Sequence, residues 1–169
     1  MSLIRTARGF TPKIHPSVFV AETANIIGDV EIGEASSVWY QTVIRGDVMP
    51  IRIGNATNIQ DGSIIHGTFN KWGTTIGDEV TIGHQVLMHG TTISDRCLIG
   101  MGSILMDGSF IAKNCIVGAG SLVTEGFRCE DEGWLILGRP AKAVRKLKED
   151  EIKFLKQSAD NYRLYTTWY

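Results

Sequence analysis

Residues 76–89 read Ile76-Gly77-Asp78-Glu79-Val80-Thr81, then Ile82-Gly83-His84-Gln85-Val86-Leu87, then Met88-His89: aliphatic residues open successive units at an interval of six. That interval matches neither the 3.6 of an amphipathic helix nor the 2 of an alternating strand. Upstream, units open at Val20, Ile26, Ile32, Val38 and Ile44 and, after a three-residue insertion, at Ile53, Ile59 and Ile65. Downstream of a loop around Thr68 to Thr74 they resume at Ile76, Ile82 and Met88, slip by one residue to Ile93, and continue at Ile99, Leu105, Ile111, Val117 and Val123. This period predicts a parallel β-helix of hexapeptide repeats, each unit a short strand plus a turn, with three units closing one triangular coil. Coils stack at strand spacing, about 4.8 Å, and each buries its face only against its neighbours.

The filling of the units agrees. The opening aliphatic points into the prism, and the fifth position is small or apolar, as at Val30, Ser36, Thr42, Thr57, Ser63, Val80, Val86, Thr92, Cys97, Ser103, Ser109, Cys115 and Ser121. Glycine recurs at the second position (Gly33, Gly54, Gly77, Gly83, Gly100, Gly118), where a corner needs positive φ or close approach of backbone. The repeat ends near Glu125, and a bend rich in Gly and Pro closes with Gly138-Arg139-Pro140. A C-terminal helix follows, with Glu149, Asp150 and Glu151 complementing its N-terminal dipole. Ile152, Leu155, Ala159 and Tyr162 form an apolar stripe to pack along the prism. The expectation is a single, mainly β domain over residues 1–169, with the β-helix at about 12–125 and the helix at about 146–165.

Composition narrows the function. The 169 residues are 43% hydrophobic and 21% charged, suited to one compact domain. Seventeen Lys and Arg balance eighteen Asp and Glu, and the one dense basic stretch runs from Arg139 to Lys148. That argues against nucleic-acid binding by phosphate neutralisation. The first ten residues, MSLIRTARGF, hold no apolar h-region, and no eighteen apolar residues run together. A cytoplasmic protein without membrane association is therefore expected. Cys97, Cys115 and Cys129 are too sparse for a disulfide framework and read as reduced thiols.

Units three apart share a face, so spacing converts to contact. Ile44, Ile65 and Met88 open units on one face, and the residues after them, Arg45, His66 and His89, stack as one outward column. Asp61 and His84, third in the units of Ile59 and Ile82, stack on the preceding face. Imidazoles one rung apart can converge on zinc, whose nitrogen ligands sit at about 2.0 to 2.1 Å. His84 cannot reach that ion within its own chain. A second prism can present it, and three such heterologous contacts close a ring. If the three histidines share a metal, an oligomer is required; the fourth, His15, is assigned no role.

Taken together, Arg45-Gly46-Asp47, then Asn58-Ile59-Gln60-Asp61-Gly62-Ser63 leading to His66, then Gly83-His84 and His89-Gly90, resemble the gamma-class carbonic anhydrases. The resemblance covers the repeat region and the C-terminal helix. Likeness to hexapeptide-repeat proteins also implies a left-handed coil, against the usual crossover rule. The family resemblance implies a homotrimer with a metal held by His66 and His89 of one subunit and His84 of the next. Zinc is the first candidate, with iron(II) or cobalt(II) equally suited to imidazole. A metal-bound hydroxide would then hydrate carbon dioxide reversibly to bicarbonate. By the same resemblance Gln60 orients hydroxide or substrate, Asp61 accompanies it, Arg45 and Asp47 bridge subunits, and Tyr162 stands beside the site. Leu164 replaces the archetype's asparagine. The loop from Gly67 to Gly73 lacks the archetype's proton-shuttling acids, which implies weak activity. Two alternatives stand beside this one. An acyltransferase using acetyl-coenzyme A is suggested by Gly138-Arg139-Pro140-Ala141-Lys142. The other is a catalytically silent metal-binding trimer.

Overall fold

The computed structural model describes residues 2–169. Short parallel strands stack into a triangular solenoid whose faces follow the six-residue units. The first face carries strands Ile64–His66, Leu87–His89, Ile104–Leu105 and Leu122–Val123. The second carries Thr74–Ile76, Thr92–Ile93, Phe110–Ile111 and Arg128–Cys129. Strand Val43–Ile53 begins on the first face, opposite Ile64, and ends on the second, opposite Thr74. It therefore joins both into one twelve-stranded sheet. The third face is a separate eight-stranded sheet that includes Ser37–Val38, Asn58–Ile59, Thr81–Ile82 and Leu98–Ile99.

Alternation explains the burial. Ile26, Ile44, Ile65, Ile82, Met88, Ile99, Leu105 and Ile111 open their units and are fully buried, and they form one continuous core. Small hydroxylic residues fill the corners and satisfy backbone: Ser63 Oγ donates to the Gly83 carbonyl at 2.9 Å and accepts from Val86 N–H at 3.1 Å. No buried side-chain nitrogen or oxygen among the described residues lacks a partner. At the slip, the inward small residue is Thr91 rather than Thr92, because the shortened unit moves that position back by one. The three thiols are free and buried, and burial pushes all of them up, Cys129 to about 12.

Of the two reasons for second-position glycine, close approach is the operative one. A methyl on Gly54 would lie 2.2 Å from Asp78 Oδ1 and 2.6 Å from the Gly77 carbonyl carbon. The left-handed residues stand instead at the fourth position, among them Ala35, Ala56, Glu79, Gln85, Arg96 and Asn114.

Beyond residue 125 the structure departs from the expected bend. Arg128–Cys129 adds another rung, and Trp134–Gly138 pairs in parallel with Ile116–Val117. Ala141–Lys146 then folds back on Trp134–Gly138 as an antiparallel edge. The helix is Glu149–Tyr165. It buries Leu155, Ser158 and Ala159, while Ile152 of the expected stripe stays exposed. Ser158 tolerates burial because its Oγ accepts the Thr81 hydroxyl at 3.1 Å.

Candidate metal centre

The first face positions one pair of imidazoles. His66 and His89 are paired rung on rung at the end of that face, after inward Ile65 and Met88. Their rings meet edge to face with centroids 5.2 Å apart. His66 Nδ1 and His89 Nε2 face each other at 3.3 Å.

The other nitrogen of each ring is held by a carboxylate. His66 Nε2 lies 3.0 Å from Asp47 Oδ1, and His89 Nδ1 lies 2.7 Å from Asp107 Oδ1. A carboxylate only accepts, so it fixes the ring proton on its own side. With both rings neutral the two facing nitrogens are the ones left free to bind a cation placed between them. Tetrahedral zinc with bonds of 2.0 to 2.1 Å separates its nitrogen ligands by about 3.3 Å, so the donor pair fits such an ion. Burial, the largest influence, lowers the His66 pKa; the Asp47 hydrogen bond opposes it and the Arg45 charge reinforces it. A neutral imidazole is the form a metal needs.

Asp47 reaches His66 because of the insertion. Gly28 pairs with Gly46 and Val30 with Ile51, so residues 47–50 bulge out opposite Asp29 alone. Asp47 Oδ2 receives Arg45 Nη1 at 2.5 Å. Burial raises the Asp47 pKa, but the His66 and Arg45 hydrogen bonds outweigh it and hold the carboxyl below the ordinary range.

Asp61 and His84 stand not within the preceding face, where counting units placed them, but at the corners between that face and this one, and so at the opposite end of the first face from His66 and His89. Asp61 and His84 occupy the corners that lead into Ile64–His66 and Leu87–His89. His84 Nδ1 meets Asp61 Oδ2 at 2.8 Å, and both side chains are exposed. From His84 the chain turns at left-handed Gln85 and only then runs along the strand Leu87–His89, so His84 stands at the corner and His89 at the strand's far end. Among the described residues, no three His, Cys, Asp or Glu side chains converge on one point within the chain.

Gln60 is buried beside Asp61, and its Nε2 donates to Asn58 Oδ1 at 3.0 Å. Asn58 Nδ2 in turn donates to Thr81 Oγ1 at 3.0 Å, which orients both amides. Tyr162 packs edge-on against Trp39 with centroids 5.6 Å apart. Burial and then the charge of Asp61 push its phenol up to about 12. The structure thus unites Arg45, Asp47, His66 and His89 at one end of the face and Asp61 with His84 at the other, and it sets Tyr162 into an aromatic cluster. Asp107 is the residue that sequence reasoning missed. The available signal was its register, one rung below Gly90, whose carbonyl accepts from Gly108 N–H at 2.8 Å.

Comparison with known proteins bears on the family of the chain. Residues 73–107 and 90–125 match the family described as the hexapeptide repeat of succinyl-transferase. The chain is 47% identical to a carbonic anhydrase of Geobacillus kaustophilus over 160 residues, covering 95% of this chain and 87% of that one. It is 46% identical to the mitochondrial gamma carbonic anhydrase 1 of Arabidopsis thaliana over 156 residues, covering 89% of this chain and 56% of that one. Among solved structures it is similar to a putative acetyltransferase from Bacillus cereus, at 40% identity and TM-score 0.96, covering 99% of this chain and 96% of that one. On this identity, carried over nearly the whole length, the chain belongs to the gamma-class carbonic anhydrase family of hexapeptide-repeat proteins.

Proposed function

We propose that the protein is a gamma-type carbonic anhydrase working as a ring of three copies, with a metal site at each boundary made of His66 and His89 from one copy and His84 from the next. The observation that carries this reading is the pair of carboxylate-backed imidazoles whose other nitrogens face each other at 3.3 Å. A third imidazole, equally backed by a carboxylate, stands at the far end of the same face. Between the two half-sites lie Ile64 and Leu87, paired rung on rung and 45% and 36% exposed, which suits a face covered by another copy.

When bound, the metal supplies Lewis acidity that brings the pKa of a water from 15.7 to about 7. The chain's own groups do the rest. Asp47 and Asp107 hold the His66 and His89 rings in register. Asp61 does the same for His84. Gln60, its amide oriented by Asn58, would hydrogen-bond the attacking water or carbon dioxide and align the two. Arg45, paired with Asp47, would brace the boundary between copies. Tyr162 keeps its phenol proton across the physiological range and would act as a packing neighbour rather than a base.

The test is elemental analysis of anaerobically purified protein, followed by stopped-flow carbon dioxide hydration on the same sample. Stoichiometric transition metal with hydration, lost in His66→Ala, His84→Ala and His89→Ala, is the expected outcome. Metal-free protein that binds acetyl-coenzyme A would instead support the transferase activity that the name of the Bacillus cereus structure carries. Full metal occupancy without hydration would leave a silent metal-holding trimer.

A further inference from the structure

Asp107 belongs to none of the motifs that mark the site, yet both of its oxygens are engaged. Oδ1 accepts from His89 Nδ1 at 2.7 Å, and Oδ2 accepts the Thr68 hydroxyl at 2.5 Å. We propose that Asp107 is a positioning residue through which the loop at residues 67–73 sets how tightly the centre holds its ion. This rests on the reading of His66, His84 and His89 as metal ligands.

The loop is built to act as one piece. Thr68 N–H donates to the Trp72 carbonyl at 2.9 Å, and Trp72 N–H donates back to the Thr68 carbonyl at 3.0 Å. The Trp72 ring lies over Gly108, where a methyl would be 3.1 Å from Cζ2. Lys71 lies over the Trp72 ring and faces Glu125 at 3.7 Å. Gly90 keeps the passage open, since a methyl there would meet Asp107 Oδ1 at 2.3 Å and Trp72 Cβ at 2.6 Å. Just past the loop, Thr74 Oγ1 donates to the His66 carbonyl at 2.6 Å and accepts from Gly90 N–H at 3.0 Å. Both ends of the segment are therefore tied to the two histidine strands. The Thr68 hydroxyl holds the carboxylate and the carboxylate holds the ring, so loosening the loop frees the His89 imidazole to rotate and to exchange its proton between nitrogens. That lowers affinity without touching a ligand.

The experiment uses the full-length protein with zinc alone as probe. Affinity is measured by chelator competition and the metal-free form is followed by thermal melting. Asp107→Asn is expected to weaken zinc about 10- to 100-fold while the metal-free melting temperature holds. Thr68→Val, which keeps the side-chain volume, should weaken it several-fold, and the double variant should lose no more than Asp107→Asn, because both act through one contact. Wild-type affinity in Asp107→Asn, with zinc lost in a parallel His66→Ala variant, overturns the proposal. Zinc retained in His66→Ala overturns the metal reading instead. Independent, multiplying losses in the double variant overturn the coupling to the loop. If Asp107→Asn fails to assemble, Thr68→Val decides alone, and unchanged affinity there overturns the coupling.

Discussion

A methyl on Gly54 would sit 2.2 Å from Asp78 Oδ1, the oxygen that accepts Asn55 N–H at 2.7 Å. The same acid ladder continues below, with Asp95 Oδ1 accepting Asp78 N–H at 3.0 Å. Rungs cannot part to make room, because strand spacing is set by backbone hydrogen bonds at about 4.8 Å. Gly54→Ala is therefore expected to cost about 1–3 kcal/mol, read as a lower urea midpoint at unchanged slope. The position of this glycine is legible in the period, but its reason is not, because a six-residue spacing treats turn and contact alike. The same limit hides Asp107. Its partner His89 is 18 residues earlier, and the contact depends on a side chain reaching up past Gly90 rather than on equal positions in stacked units. His66, His89, Asp61 and His84 could be placed in advance because they occupy such equal positions.

Among the elements, the C-terminal helix depends on contacts that its apolar stripe does not reveal. Its first turn is anchored by Glu151, which takes two Arg145 bonds at 2.7 Å each and the Lys148 N–H at 2.8 Å. The Arg145 bonds first, and the backbone bond second, lower the Glu151 pKa to about 2. A carboxyl depressed in the folded state stabilises fully above its unfolded value of about 4.3, and that contribution disappears as pH falls from there through about 2. Glu151→Gln should flatten this part of the acid limb when melting temperature is followed from pH 5 to pH 2, and added salt should shrink the difference because the pair is exposed. An identical limb in both proteins would refute the assignment. Deeper along the helix, Ser158→Ala leaves the Thr81 hydroxyl without its acceptor at a buried position, an expected loss of about 1–3 kcal/mol by denaturant titration. A stripe drawn at spacings of three and four includes exposed Ile152 and omits Ser158, because polarity says nothing of a partner waiting on the sheet. The hairpin of Trp134–Gly138 and Ala141–Lys146 escapes a search for units of six for a related reason: its strands are five and six residues long and pair antiparallel.

For the whole molecule, the proposed ring rests on one face carrying His66 and His89 at one end and Asp61 with His84 at the other, with exposed Ile64 and Leu87 between. A lysine at Ile64 would place an unpaired charge in the middle of the proposed contact. Ile64→Lys is thus expected to shift sedimentation toward the single chain and to release metal, although Ile64 touches no ligand. The proposed division of the histidines comes from spacing, because His84 and His89 fall at different positions of successive units, with four residues between them, whereas His66 and His89 stack rung on rung. The ring itself makes a further demand that mixing can test. His66→Ala copies lack the paired imidazoles but present His84, while His84→Ala copies lack His84 but keep the pair. Either variant alone has no complete boundary. When equal amounts are unfolded together and reassembled at random, a boundary is complete only where a His84→Ala copy supplies the pair and a His66→Ala copy supplies the third imidazole. That occurs at about one boundary in four, so about a quarter of the wild-type metal content and hydration rate should return. Sites contained within single chains would return nothing on mixing, and that outcome would exclude a shared centre.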